Sequence, residues 1–388
     1  MKLKFRMICI MATVIFVTVS VFAVEFIRNH IITVDYQSLK TINELENHIK
    51  DDFYYSIDNQ ELTDSLLNGY ISGLGDDYAT YYPATDAQSH TDKLNGDAYG
   101  LGILTINHPE TDEIYVWRVY DNSPADNAGI ISGDIIIAIN NQNVSDMGYT
   151  EGIKLLGNKN EVEVTIKRKN KVLSLDIKPA VCDVQSVYTD LIADKFGYIQ
   201  IIDFNKKTYA QFKAAIDSFK ECDAGAVIID LRHNSGGTVD TAAKMLDYIL
   251  PKGDIIRVKD NKGNIIVRNK SNKNALNKPM VLLVDDKTAS AAEIFASAIR
   301  DFDAGVLIGN KTFGKGAIQR SYDLSNGGTA KFTIAEFVDK NGNSYHKKGI
   351  EPDINISEEP LSDYEYYFLS IEDDKALSEA LKYLNHPS

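Results

Sequence analysis

The chain has 388 residues, 44% of them hydrophobic and 25% charged, which are values of a globular protein. They exclude a mostly disordered, collagen-like or multi-span membrane protein and suggest roughly two or three domains. The net charge of −14 excludes a dominant basic surface, so nucleic acid is not an expected partner.

The N-terminus places Lys2, Lys4 and Arg6 before Met7–Val24, a run of 18 residues without a charge. Such a run predicts a membrane helix with its N-terminus in the cytoplasm and the rest of the chain exported. We read residues 1–26 as an uncleaved anchor. The alternative is a signal peptide cut after Val21-Phe22-Ala23. Cys9 falls in this leader, and the sequence leaves a bridge between Cys182 and Cys222 open.

Residues 27–94 read as an N-terminal helical region. Leu39, Ile42, Leu45 and Ile49 predict a helix over Ser38–Tyr54, and Leu62, Leu66, Leu67 and Ile71 a second over Glu61–Leu74. Asp76–Pro83 is dense in aromatic residues, and we read it as a packed structural corner. From Asn95 to Ala180 short β-branched runs alternate with turns, which predicts a small β-rich module with one helix at Met147–Leu156.

From residue 181 to about 360 strands and helices alternate, predicting an α/β core. The strands fall at Tyr198–Ile202, Ala226–Leu231, Met280–Val284 and Val306–Ile308. The helices fall at Tyr209–Glu221, Val239–Ile249 and Ala291–Arg300. Lys252–Lys278 reads as a hairpin or surface loop, and Gly327–Val338 as one long strand. The tail from residue 361 ends in an amphipathic helix, Ser370–Leu384.

Three motifs carry chemistry. Ser290 follows a strand and opens a helix, at the positive end of the helix dipole. Ser290 and Glu293 also spell a capping box, the bland alternative to a nucleophile. Lys315 stands 25 residues later between Gly314 and Gly316, and Gln319 follows it by four. Burial moves a lysine pKa from about 10.4 toward roughly 7–8, where it serves as a base. Gln319 is placed to orient it. Asp230-Leu231-Arg232-His233-Asn234-Ser235-Gly236-Gly237 ends a strand. Its glycine N–H groups, with that of Ala291, suit an oxyanion hole. His233 offers a weaker Ser–His–Asp reading. The chain has no His-Glu-x-x-His and no cysteine pair at zinc spacing, so neither metal nor cofactor is expected.

Two resemblances follow. The order Gly100-Leu101-Gly102-Ile103, Ser123-Pro124-Ala125, Ala128-Gly129-Ile130 and Gly133-Asp134 resembles a PDZ domain over residues 95–180. It implies that the N–H groups at Gly100, Leu101, Gly102 and Ile103 receive a peptide's C-terminal carboxylate. The three catalytic motifs, with Leu74-Gly75-Asp76-Asp77-Tyr78 and Gly349-Ile350-Glu351-Pro352-Asp353, resemble the C-terminal processing peptidases, also called tail-specific serine proteases.

This second resemblance implies an α/β protease core similar to Clp protease and crotonase, flanked by helices and preceded by the PDZ module. It implies a Ser–Lys dyad in which Ser290 attacks, Lys315 takes the proton and Gln319 positions Lys315. Gly236 or Gly237, with Ala291, would hold the oxyanion. The expected function is an exported, membrane-tethered serine endopeptidase acting on protein or peptide substrates. A regulatory partner protein and a homodimer fit the same picture. The rival reading is a non-catalytic PDZ scaffold with a decayed core. In related proteases an arginine often precedes the glycine after the PDZ helix and couples ligand to activation. Here Leu156 precedes Gly157, so that coupling is not expected through this position.

Overall fold

The computed structural model describes residues 36–84, 95–158, 160–272, 275–356, 359 and 361–385. The expected membrane helix lies outside these residues. Among the described residues no helix is long and apolar enough to cross a membrane. The chain divides into one unit up to Leu66 and a second from Leu67 onward. In the first, the helix Tyr36–Asp52 buries none of its residues, and its apolar stripe of Leu39, Ile42 and Leu45 is exposed.

The second unit is built on a six-stranded sheet. Its order is Val187–Ile192, Phe196–Ile201, Ala226–Asp230, Met280–Val284, Val306–Gly309 and Ile354–Asn355. The first pair is antiparallel and the remaining four are parallel. All five residues of Ala226–Asp230 and of Met280–Val284 are buried, as expected of strands covered on both faces. The helices Thr208–Glu221, Val239–Ile249 and Ala291–Asp301 supply one face of the core. The tail helix Lys375–Asn385 covers the other face with Ala376, Leu377, Ala380 and Leu384. Every residue from Ala291 to Ile299 is buried, so this helix is apolar almost all round apart from Glu293 and Ser297. Its Phe295 meets the rings of Phe204 and Phe212 at 6.0 and 6.2 Å. Burying a side chain of that size stabilises the fold by about 2 kcal/mol.

A second sheet joins Thr80–Tyr82, Thr329–Val338, Gly253–Asp260 and Ile265–Ser271, and Ala317–Asp323 also pairs with Thr329–Val338. The region read as a hairpin or loop is thus a hairpin built into a sheet. Between Ile318 and Gln319 the pairing skips a register, a bulge that re-aims Gln319.

The β-rich module is a six-stranded sheet running from Ile103 to Ile177, with the helix Tyr149–Leu156 packed on its own core. The Gly-Asp pair has a structural task there. Asp134 is fully buried and takes Arg168 Nε and Nη2 at 2.7 Å each. Leu156 belongs to the module's core. Cys182 is buried, Cys222 is exposed, and both are free thiols.

Candidate active site

Met280–Val284 ends in a loop that presents Ser290 at φ 56°, ψ −116°. An ordinary helix N-cap is in the β region. This backbone is strained by roughly 1–3 kcal/mol and persists only where its surroundings hold it. The buried Glu293 carboxylate does so. Its Oε2 accepts Ser290 N–H at 3.0 Å and Lys315 N–H at 2.7 Å. Its Oε1 accepts Gly314 N–H at 2.8 Å and the Thr312 hydroxyl at 2.6 Å. One carboxylate therefore ties the serine elbow to the lysine loop. Burial pushes the Glu293 carboxyl above its usual range, and these four donors pull against that shift.

Lys315 is half-buried. Burial lowers its pKa from the usual lysine range, and Lys331 across the sheet adds to the shift. Its ammonium lies 4.9 Å from the centre of the Tyr78 ring, and among the described residues no carboxylate pairs with it. Gln319 Nε2 donates to the Tyr78 carbonyl. Ser290, Lys315, Gln319 and Gly237 line one cavity of about 480 Å³, together with Lys331 and Arg268.

The two motif glycines differ. Gly236 N–H donates to Asn234 Oδ1 at 2.8 Å, so it is not available to an oxyanion. The N–H groups of Gly237 and Ala291 donate to no group among the described residues. Gly237 has φ 139°, and a Cβ there would meet the Phe204 carbonyl oxygen at 2.3 Å, so no other residue fits. Asn234 is the lock of this loop. It is fully buried, donates to the Ile201 carbonyl at 2.6 Å and accepts Ala289 N–H on its own carbonyl at 2.9 Å.

His233 belongs to a different cluster. Its ring stacks on Tyr366 at 4.0 Å and 5°. Nδ1 is 3.0 Å from Asp363 and Nε2 is 3.3 Å from Asp285. It does not line the serine cavity, so the histidine reading has no geometric support. Beside it, Arg232 is buried between Asp230 at 2.6 Å and Asp374 at 2.7 Å, which pins the tail to the motif loop.

In the β-rich module, Leu101 is buried in the core, and the N–H groups of Leu101 and Gly102 are unpaired among the described residues. Gly100 closes the short strand Asp97–Gly100, and Ile103 opens the edge strand Ile103–Asn107. On that strand Thr105 is engaged by Tyr149. The Tyr149 hydroxyl lies 2.9 Å from Thr105 Oγ1 and donates to the Thr105 carbonyl at 3.1 Å.

The motif reading missed three contributions. Glu293 passed as a capping residue, Asn234 was not singled out, and the Asp76–Pro83 corner was taken as packing alone. The signal for Glu293 was available, because a capping-box glutamate within a wholly apolar helix needs more partners than one N–H.

An α/β core that carries a strained serine, a desolvated lysine and the Gly237 backbone in one cavity, with the unpaired Ala291 N–H next in sequence to the serine, has the architecture of a serine hydrolase. The comparisons with known proteins narrow this. Residues 195–356 match the model of peptidase family S41, and residues 100–178 match a PDZ domain. The chain is 33% identical over 327 residues to the carboxy-terminal processing protease CtpA of Bacillus subtilis (strain 168), covering 83% of this chain and 69% of that one. It is 30% identical over 362 residues to the "Probable CtpA-like serine protease" of Staphylococcus aureus (strain N315), covering 91% and 72%.

Among solved structures, an S41 protease from Bacteroides fragilis NCTC 9343 superposes with a TM-score of 0.60 at 15% identity, covering 87% and 93%. The photosystem II D1 C-terminal processing protease superposes at 0.51 with 22% identity, covering 81% and 86%. Both share the fold. The chain belongs to peptidase family S41, among the carboxy-terminal processing serine proteases, and carries that family's PDZ domain. Its substrates are proteins or peptides.

Proposed function

We propose that the protein cleaves peptide bonds through a Ser290–Lys315 dyad. The neutral Lys315 amine takes the Ser290 hydroxyl proton as Oγ attacks the scissile carbonyl. The negative charge that develops on the carbonyl oxygen is received by Gly237 and Ala291 N–H. The Lys315 ammonium then protonates the departing amine, leaving an ester on Ser290. A water deprotonated by Lys315 hydrolyses that ester and frees the acid product. Gln319 orients the amine. The observation that carries this reading is the single cavity lined by Ser290, Lys315, Gln319 and Gly237, in which the lysine has no counter-ion among the described residues.

The loop Gly100–Ile103 would receive the C-terminal carboxylate of a substrate, and the edge strand Ile103–Asn107 would pair with its last residues. Unpaired Leu101 and Gly102 N–H groups support this role. The charge-free run Met7–Val24 behind Lys2, Lys4 and Arg6 supports a membrane tether with the protease outside the cytoplasm. The exposed stripe Leu39, Ile42 and Leu45 supports self-association.

The test is cleavage of casein, an unstructured protein, by the full chain and its variants. Ser290→Ala and Lys315→Ala are expected to abolish cleavage, and His233→Asn to retain it. Loss with His233→Asn and retention with Lys315→Ala would sink the dyad.

A further inference from the structure

The corner Asp76–Pro83 has no place in the scheme above, yet it touches both residues that surround the nucleophile. Asp76 clamps it to the sheet. Asp76 Oδ1 accepts Tyr78 N–H at 3.0 Å, and Oδ2 accepts Thr333 N–H at 2.9 Å. Burial pushes this carboxyl up, but the two backbone donors, with the Thr333 side chain and His346, outweigh it and hold it below the usual carboxylate range. Two residues on, Thr80–Tyr82 pairs with Thr329–Lys331, and Tyr81 is buried against Ile71 and Ala330. Tyr78 is therefore fixed from both sides.

Each half of Tyr78 then meets one member of the site. Its carbonyl accepts Gln319 Nε2. A carbonyl can only accept, so the amide orientation is set and Oε1 is the atom left for the lysine. The bulge before Gln319 places it opposite Thr333, the residue that Asp76 holds. The ring of Tyr78 lies 4.9 Å from Lys315 Nζ and covers one side of the amine.

We propose that Tyr78 is the positioning residue of the general base, its ring keeping water from the Lys315 amine and its carbonyl fixing Gln319. The proposal rests on the assignment of Lys315 as base. Two effects of the ring oppose each other. Its face attracts the ammonium form, while its bulk removes water from that form and favours the free amine. Lys315 is half-buried with no carboxylate partner among the described residues, and burial lowers its pKa, which is the direction of water exclusion. The other charged groups near Lys315 are Lys331 on the facing strand, Arg268 on the hairpin, Asp203 and Asp240 on the cavity wall, and Glu293 beneath. Lys331 acts in the same direction as burial. Tyr78 itself does not compete for the proton at neutral pH. Burial, then Asp77 and Glu293, push its hydroxyl above the usual range.

The experiment is the pH dependence of kcat/KM for casein cleavage by the full chain, with Tyr78→Phe, Tyr78→Leu and Lys315→Ala. Tyr78→Phe keeps the ring and the carbonyl and is expected to match the native profile. Tyr78→Leu lets water reach the amine, so the acid limb moves up by about one pH unit. Activity at pH 7 then falls about tenfold, and it returns to within about threefold of native once the pH exceeds the new limb. A merely structural loss would lower the whole profile without moving the limb.

An unmoved limb in Tyr78→Leu, with Lys315→Ala inactive, overturns the role of Tyr78 and leaves the dyad standing. Activity in Lys315→Ala overturns the dyad and the proposal with it. If Tyr78→Leu does not fold, Tyr78→Met fills the same space without a ring and is judged by the same limb.

Discussion

Ala226–Asp230 and Met280–Val284 lie side by side in the sheet, and the loops that follow them each contain a non-glycine residue at positive φ. These are His233 at 57° and Ser290 at 56°. Both belong to motifs, and both have side chains with catalytic potential. Their surroundings separate them. Ser290 opens on a cavity shared with Lys315 and Gln319. His233 is sealed under Tyr366 and bridged to Asp363, in contact with the tail and outside the lining of the serine cavity. Positive φ presents a side chain to the candidate active-site cavity at one strand end and to the C-terminal segment at the other. Positive φ and motif membership therefore do not assign a role. What lies within about 4–5 Å of the side chain does.

The largest effect is expected at Glu293. Replacing it with Ala strands Ser290, Gly314 and Lys315 N–H and the Thr312 hydroxyl without their shared acceptor. We expect a loss of about 3–5 kcal/mol in urea unfolding, with cleavage down at least a hundredfold in the fraction that remains folded. Glu293→Gln keeps the shape but turns one acceptor into a donor, and should cost about half as much. Native-like activity in Glu293→Gln would mean that the serine elbow is held elsewhere.

A smaller effect is expected at the other strand end. His233→Asn keeps a residue tolerant of positive φ and removes the ring stack. Stability should fall by about 1–2 kcal/mol, read as a lower urea midpoint. Cleavage per folded molecule should stay within about threefold of native. A large loss of turnover at unchanged stability would give His233 a role in chemistry after all.

The smallest effect concerns the far end of the Ser290 helix. Asp301 is the last residue there, and burial, reinforced by Asp339, pushes its carboxyl up to about 6. The folded state then binds the proton more tightly than the unfolded chain. This contribution to stability is present at low pH and is lost as the pH rises from about 4 to 6. Asp301→Asn should therefore raise the melting temperature by a few degrees at pH 7, with a gain of about 1 kcal/mol after solvent screening. The gain should shrink toward pH 4. An equal gain at both pH values would show that charge is not the cause.

Much of this site was legible in the residues. Ser290, Lys315, Gln319, Gly237 and Ala291 all stand in motifs whose chemistry is readable from residue type and spacing. The alternation of strands and helices in the core, with the helix Val239–Ile249, was readable from periodicity. Other features depend on contacts between distant segments. The choice between Gly236 and Gly237 turns on where the Asn234 side chain donates and accepts. Tyr78 lies 241 residues from the Gln319 it holds, and a run of tyrosines looks the same whether it packs a corner or supports a base. The short helix Asp363–Tyr367, which presents Tyr366 to His233, is too short to leave a periodic signal. Leu156 shows the converse. The sequence marks it as a departure from the resemblance, and its place in the module's core supplies the physical reason for an apolar residue there.

In the proposed chemistry Ser290 is activated by Lys315 and not by His233. Its most direct test is acylation of the full chain by an activated ester at pH 8, followed as the mass gained at Ser290. Acylation of the native protein and of His233→Asn is expected at similar rates, with none in Ser290→Ala or Lys315→Ala. Acylation that persists in Lys315→Ala and disappears in His233→Asn would contradict it.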